Sequence, residues 1–135
     1  MTITKSFLLL LALVESGNKD IPAYKGPATG PFQVSPVAMR EANRILYLQA
    51  PALGKTFFSL EDRHDYHLAK SMTFVVMDYW KPILEKRFKH KWGPYDAVAF
   101  HLYGPGQWRP TSVNTAESKR RNKRYDYYKA KKGPK

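Results

Sequence analysis

Apolar and polar positions along this chain repeat with the period of helices rather than of strands. The first run, Phe7 to Val14, is apolar on nearly every side, and Thr2 or Thr4 precedes it as an N-cap. Glu15 follows on the face of Leu8 and Leu11, and Gly17 or Asn18 stops the helix just beyond. A polar segment rich in Pro and Gly, Lys19 to Pro31, predicts an irregular loop or a small hairpin. A second helix starts around Pro36, with Val37, Ala38, Ala42, Ile45 and Leu46 as its apolar positions. Gln49 to Leu60, containing Pro51 and Gly54, is a connection. Ser59 or Asp62 then caps a third helix with the stripe Leu68, Met72, Val75, Val76 and Tyr79, which runs to Trp80 before Pro82. A short piece, Ile83 to Phe88, leads into the basic patch Lys86 to Lys91. Gly93-Pro94 breaks the chain. Tyr95 to Leu102 forms a short apolar helix closed by Gly104-Pro105-Gly106, and a last helix spans about Thr115 to Lys131.

This pattern predicts a mainly α single domain. It also puts a carboxyl group, Glu15, against an apolar wall at the carbonyl end of a helix. Desolvation penalises the charged form there, and the helix dipole repels it. Both favour the neutral carboxyl group, the state that a general acid needs. The competing expectation is a solvated Glu at a frayed helix end.

Composition changes this picture in two places. The 135 residues carry a formal net charge of +12, but Gln107 to Lys135 holds ten Lys/Arg against Glu117 and Asp126, a balance of +8. The basic character belongs mainly to the end of the chain, and it attracts polyanions without choosing among them. There is no cysteine, so disulfides and thiolate metal sites are excluded. Three Trp, nine Tyr and seven Phe supply enough large apolar surface for one core.

Phe7 to Val14, behind Lys5, also has the outline of an export signal. It is too short to span a bilayer, and no small-x-small cleavage site follows it. The core helix is the preferred reading. The two exclude each other, because cleavage near Ser16 would discard Glu15.

Three pieces line up in order: Glu15-Ser16-Gly17-Asn18, then Ala28-Thr29-Gly30-Pro31-Phe32-Gln33-Val34-Ser35-Pro36, then Ala97 to Phe100 followed by His101-Leu102-Tyr103-Gly104-Pro105-Gly106. Together they resemble the soluble lytic transglycosylase family, which is lysozyme-like. That family has a Glu-Ser pair at a helix end, a Gly-x-x-Gln element, and an Ala-rich helix closing in a Tyr-Asn-Ala-Gly-Pro-Gly type sequence. Small phage-encoded wall-degrading enzymes are similar in their Gly-Pro-Phe-Gln wording. The resemblance covers roughly Phe7 to Tyr128.

It implies a lysozyme-like fold with an irregular loop or small hairpin after the first helix, and cleavage of the bond between N-acetylmuramic acid and N-acetylglucosamine in peptidoglycan. Glu15 corresponds to the catalytic acid and base. It would protonate the glycosidic oxygen and then take the proton of the muramoyl 6-hydroxyl, closing a 1,6-anhydro ring. One carboxylate suffices where the sugar N-acetyl group stabilises the oxocarbenium charge. Gln33 corresponds to a substrate-binding amide, Gly30 to a place of close backbone approach, and Ser16 to an orienting hydroxyl. Aligned on Gly104-Pro105-Gly106, the family Tyr-Asn falls on His101-Leu102, so Leu replaces an Asn that positions substrate. His101 or Tyr103 then takes the stacking place. A late family Tyr has three competing matches, Tyr125, Tyr127 and Tyr128, of which Tyr125 is taken for substrate contact.

The domain expectation is a catalytic unit over 1–115 and a basic, Tyr-rich tail over 116–135, or a last helix of the same unit. Peptidoglycan glycan strands are the expected partner. An anionic wall polymer, a membrane or nucleic acid is expected at the tail, with virion proteins as further partners. No cofactor is implied. His64 and His67 stand at metal-ligand spacing beside Asp65, but no third ligand accompanies them, and no metal is expected. The site of action is expected in a phage virion or at the periplasm and cell wall. The alternatives are a lysozyme-type hydrolase, for which Asp20, Glu61, Asp62 and Asp65 offer no clear second acid, and a non-catalytic nucleic-acid-binding or virion structural protein.

Overall fold

The computed structural model describes residues 1–22, 27–51 and 57–132. Five α-helices carry the described chain: α1 (Lys5–Ser16), α2 (Pro36–Gln49), α3 (Tyr66–Phe88), α4 (Pro94–Tyr103) and α5 (Ala116–Lys132). Short 3-10 turns at Glu61–His64 and Pro110–Asn114 lead into α3 and α5. The fold is mainly α, and no strand forms among the described residues. The Lys19–Pro31 loop and the Gln49–Leu60 connection lie partly outside the described residues. What is described of the first closes on a single antiparallel bridge between Thr29 and Val34.

Helix starts follow local chemistry. The Thr4 hydroxyl accepts from the Phe7 amide at 3.0 Å, and the Ser35 hydroxyl accepts from Ala38 at 3.1 Å with Pro36 just inside the helix. The third helix departs from expectation at both ends. Its cap is Asp65, which accepts from the Leu68 amide at 3.0 Å. Ser59 and Asp62 bond one another instead, at 2.9 Å, and close the preceding turn. Pro82 does not end the helix, which runs on to Phe88. Proline removes one helical hydrogen bond and crowds the carbonyl four residues back. Here that carbonyl belongs to Asp78; both residues are exposed, so water can satisfy the freed group.

The core is built around α4 rather than α1. Ala97, Val98, Ala99 and Phe100 are all 2% exposed or less. Around them Trp92 packs on Phe100 and on Trp108, at ring-centroid distances of 5.1 and 5.3 Å, and Phe88 meets Trp108 at 5.8 Å. Helix α1 buries Phe7, Leu8, Leu11, Ala12 and Val14, and it packs against α5. The basic C-terminal segment is thus a docked helix. Ser118, Asn122 and Tyr125, at i, i+4 and i+7, form its buried stripe.

One carboxylate ties the α3–α4 corner. Glu85 accepts from the Trp92 amide at 2.7 Å and from Lys81 at 3.2 Å. Burial pushes its pKa up, but these bonds outweigh burial and hold it below the ordinary value of 4.5. A depressed folded-state pKa gives stability that is complete above the unfolded value and is lost as pH falls through the folded one. Thermal melts should therefore show a wild-type Tm that drops on acidification below about pH 4.5. Glu85→Gln should lower Tm at pH 7 and flatten that acid slope. An unchanged slope would remove Glu85 from the acid sensitivity.

Candidate functional site

The site is organised by the turn Gly30-Pro31-Phe32-Gln33. Thr29 and Val34 close it with backbone bonds of 3.2 and 2.9 Å. Two of its residues take left-handed backbone conformations, Gly30 at φ +84° and Gln33 at φ +50°. Gly30 is required by contact as well as by φ. A Cβ there would lie 1.9 Å from the backbone oxygen of Arg63. The close approach that Gly30 permits is thus to the chain itself. Arg63 completes that contact from above. Its guanidinium donates to the carbonyls of Pro27 and Val34 at 3.0 and 3.1 Å, and to that of Leu60 at 2.9 Å.

Two helices grip the turn from either side. At the end of α1 the Ser16 hydroxyl reaches the Pro31 carbonyl at 2.6 Å and accepts from the Lys19 amide at 3.0 Å. From α4, His101 Nε2 lies 2.6 Å from the Phe32 carbonyl. A carbonyl only accepts, so Nε2 carries the hydrogen. Gln33 donates its amide to Gly30 and Ile21 carbonyls at 2.9 and 3.3 Å, which leaves Oε1 without a partner among the described residues. Phe32 is fully buried and meets the Tyr66 ring at 5.5 Å. The three segments singled out in the sequence therefore converge on four residues.

Glu15 sits at the same helix end, with its side chain only 4% exposed. The apolar wall is present: Leu8 and Leu11 are 3% and 0% exposed. Periodicity and motifs, however, did not mark Arg121. Its Nε lies 2.8 Å from Glu15 Oε2 and its NH2 lies 3.5 Å from Oε1. Arg121 also pairs with Glu117 one turn earlier on α5, so one guanidinium bridges two carboxylates. Burial pulls the Arg121 pKa down, but the charges of Glu15 and Glu117 outweigh it and hold it above the usual value. Arg124 adds a second cation at the carbonyl end of α1, donating to Val14 O at 2.9 Å. The environment at Glu15 is an ion pair beside an apolar wall, not an apolar wall alone.

The remaining predicted residues separate. Tyr103 directs its hydroxyl to Thr115 Oγ1 at 2.6 Å. Tyr125 is 5% exposed and packs against Phe7 and Tyr95, each at 6.1 Å, so its ring belongs to the core. Tyr127 is exposed. His64 pairs with Asp20 at 2.7 Å on the surface, and no cluster of three or more metal-ligating side chains occurs among the described residues.

Beside the turn opens a groove of about 740 Å³ between α2, α3 and the end of α4. Its lining includes Val34 and Ser35, directly after Gln33, and the stretch His101 to Gly106. Neither Glu15 nor Arg121 is among its lining residues. The groove has its own acid, Glu41, which sequence patterning did not mark. Glu41 is bonded by Arg44 at 2.7 and 2.8 Å and accepts from Trp80 Nε1 at 2.7 Å. The Arg44 bond, reinforced by Trp80, holds its pKa below the ordinary value despite partial burial.

Two substitutions test this geometry. Gly30→Ala forces a side chain onto the Arg63 backbone and should destabilise the fold by at least about 2 kcal/mol in urea unfolding; a change within 0.5 kcal/mol, the range of neutral surface changes, would contradict the close approach. Arg121→Met should cost about 3 kcal/mol, because it strands a buried carboxylate. Combined with Glu15→Gln it should cost clearly less than the sum of the single changes. Additive losses would mean that the pair is not coupled.

Comparisons of the chain with protein-family models, with curated proteins and with solved structures gave no match.

Proposed function

We propose that this chain is a lysozyme-like enzyme that cleaves the glycan strands of peptidoglycan, acting as a lytic transglycosylase with Glu15 as its acid and base. The observation that carries the reading is the convergence of the three motif segments. Ser16 beside Glu15 holds the Pro31 carbonyl, and His101 holds the next carbonyl of the same turn. The order of motifs along the chain supported the resemblance, and their meeting at one turn adds support that order alone cannot give.

In this reading the strand lies in the groove that starts beside Gln33. Gln33 Oε1 accepts from a sugar hydroxyl or N-acetyl N–H, while its amide nitrogen stays committed to the turn. His101 and Tyr103 form the wall where the family has Tyr and Asn, with His101 fixed by its donated bond and Tyr103 by its hydroxyl. Glu15 is reached only when its contact with Arg121 opens. A carboxyl group paired with a guanidinium transfers no proton to a glycosidic oxygen until the pair parts. Glu117, on the other side of the same guanidinium, is the carboxylate that the hydrolase alternative would use as its second acid.

Glu15→Gln keeps the side-chain shape and removes the proton-transfer group. It should abolish clearing of purified cell walls, by at least about 10³-fold, while circular dichroism stays native. Wall clearing by the variant at the wild-type rate would end the assignment of Glu15.

A further inference from the structure

The exposed face of α5 takes no part in the glycan-cleaving site. The helix docks through Ser118, Arg121, Asn122 and Tyr125, and Arg121 on that docked face is the residue that pairs with Glu15. Away from it, Lys119, Lys123, Tyr127 and Lys131 follow one another at i, i+4, i+8 and i+12, and all four are exposed. Residues so spaced form one ridge of a helix. Neighbours on the ridge stand about 6 Å apart along the axis, and the whole row spans about 18 Å.

The charges on this ridge are uncommitted. The two acids of α5 are engaged elsewhere: Glu117 pairs with Arg120 and Arg121, and Asp126 accepts from the Tyr95 hydroxyl at 2.6 Å. Arg124 turns back to the Val14 carbonyl. Lys119 and Lys123 make no side-chain hydrogen bond or ion pair among the described residues. Between the cations stands a ring. Tyr127 is 53% exposed, Tyr128 meets it nearly edge-on at 5.1 Å, and Lys131 Nζ lies 5.3 Å from its centre.

We propose that this ridge binds single-stranded nucleic acid, with Lys119, Lys123 and Lys131 on backbone phosphates and Tyr127 stacked on a base. Cations that track a backbone beside an open aromatic face are what such binding requires, and it needs no sequence preference. Stacking on Tyr127 calls for an unpaired base, which a duplex does not offer. A wall polymer of polyol phosphates has no ring to place there. An anionic membrane takes up an apolar helix face, whereas Tyr125 of α5 is docked in the core and the exposed face carries Tyr127 among lysines.

Fluorescence anisotropy with a short labelled oligothymidylate tests this, beside an abasic strand of equal length, a duplex, and phosphatidylglycerol vesicles as competitor. The wild type should bind the thymidylate at least about fivefold more tightly than the abasic strand, the lower end of what one stacked base contributes. Its log K should fall against log salt with a slope of about −2, as three phosphate contacts on a single strand give. Lys119→Gln/Lys123→Gln should flatten that slope to about −0.7. Tyr127→Ala should keep the slope and lose the preference for the thymidylate. All three positions are exposed, so circular dichroism of the variants should stay native. Equal binding of the two strands by the wild type would overturn the proposal, as would a duplex bound as tightly as the single strand. A slope untouched by the lysine substitutions would do the same. Vesicles that displace the oligonucleotide, with the same dependence on both lysines, would assign the ridge to a membrane instead.

Discussion

The turn from Gly30 to Gln33 is the constraint on which the site depends. Four residues must reverse the chain, and two of them adopt left-handed backbone angles. Such a turn persists only when its surroundings hold it. Gly30 rests against the Arg63 backbone, Ser16 and His101 engage two successive carbonyls, and Gln33 ties back to Gly30 with its own amide. Each grip comes from a different part of the chain. Folding of α1, α4 and the segment before α3 is therefore needed to fix the turn, and the turn in turn fixes where the groove begins.

A second constraint links the chain's ends. The ion pair between Glu15 and Arg121 joins α1 to α5, and Arg124 caps a carbonyl of the same α1 end. Both cations sit where the helix dipole is negative, so they offset the unfavourable placement of Glu15. This gives the basic C-terminal segment two uses. One face, through Ser118, Arg121, Asn122 and Tyr125, completes the fold. The other keeps Lys119, Arg120 and Lys123 in solvent, where they supply much of the positive field. Glu117 is shared between the two uses, because it pairs with both Arg120 and Arg121.

Helices α1 to α4 were legible in the sequence because apolar residues recur in each at helical spacing or nearly without interruption, bounded by Thr, Ser, Asp, Pro or Gly signals. Their extents were less so. Pro82 marks an end by local chemistry, yet α3 continues through it, since exposure at that position lowers the cost of the lost bond. The choice of Asp65 over Asp62 as cap depended on the intervening 3-10 turn, which no periodicity announces. At the site, Ser16, Gly30, Gln33 and His101 come together around one turn, while Glu15 pairs with Arg121 of α5 and Tyr125 goes to the core. Arg121 and Arg63 were not legible. Each acts across more than twenty residues of sequence, and a single arginine among many carries no local signal. The buried face of α5, formed by Ser118, Asn122 and Tyr125 with Arg121 on it, carries too little apolar character to be read from the sequence.

The proposed transglycosylase chemistry at Glu15 would leave a chemical signature that separates it from a hydrolase at the same site and from a protein without glycan-cleaving activity. Purified peptidoglycan digested with the intact protein should yield fragments ending in 1,6-anhydro-muramoyl groups, detected by mass spectrometry as chains one water lighter than their reducing-end counterparts. Reducing ends would replace the transglycosylase with a hydrolase on the same site. Uncut glycan strands, or cuts confined to peptide stems, would contradict the proposed chemistry outright.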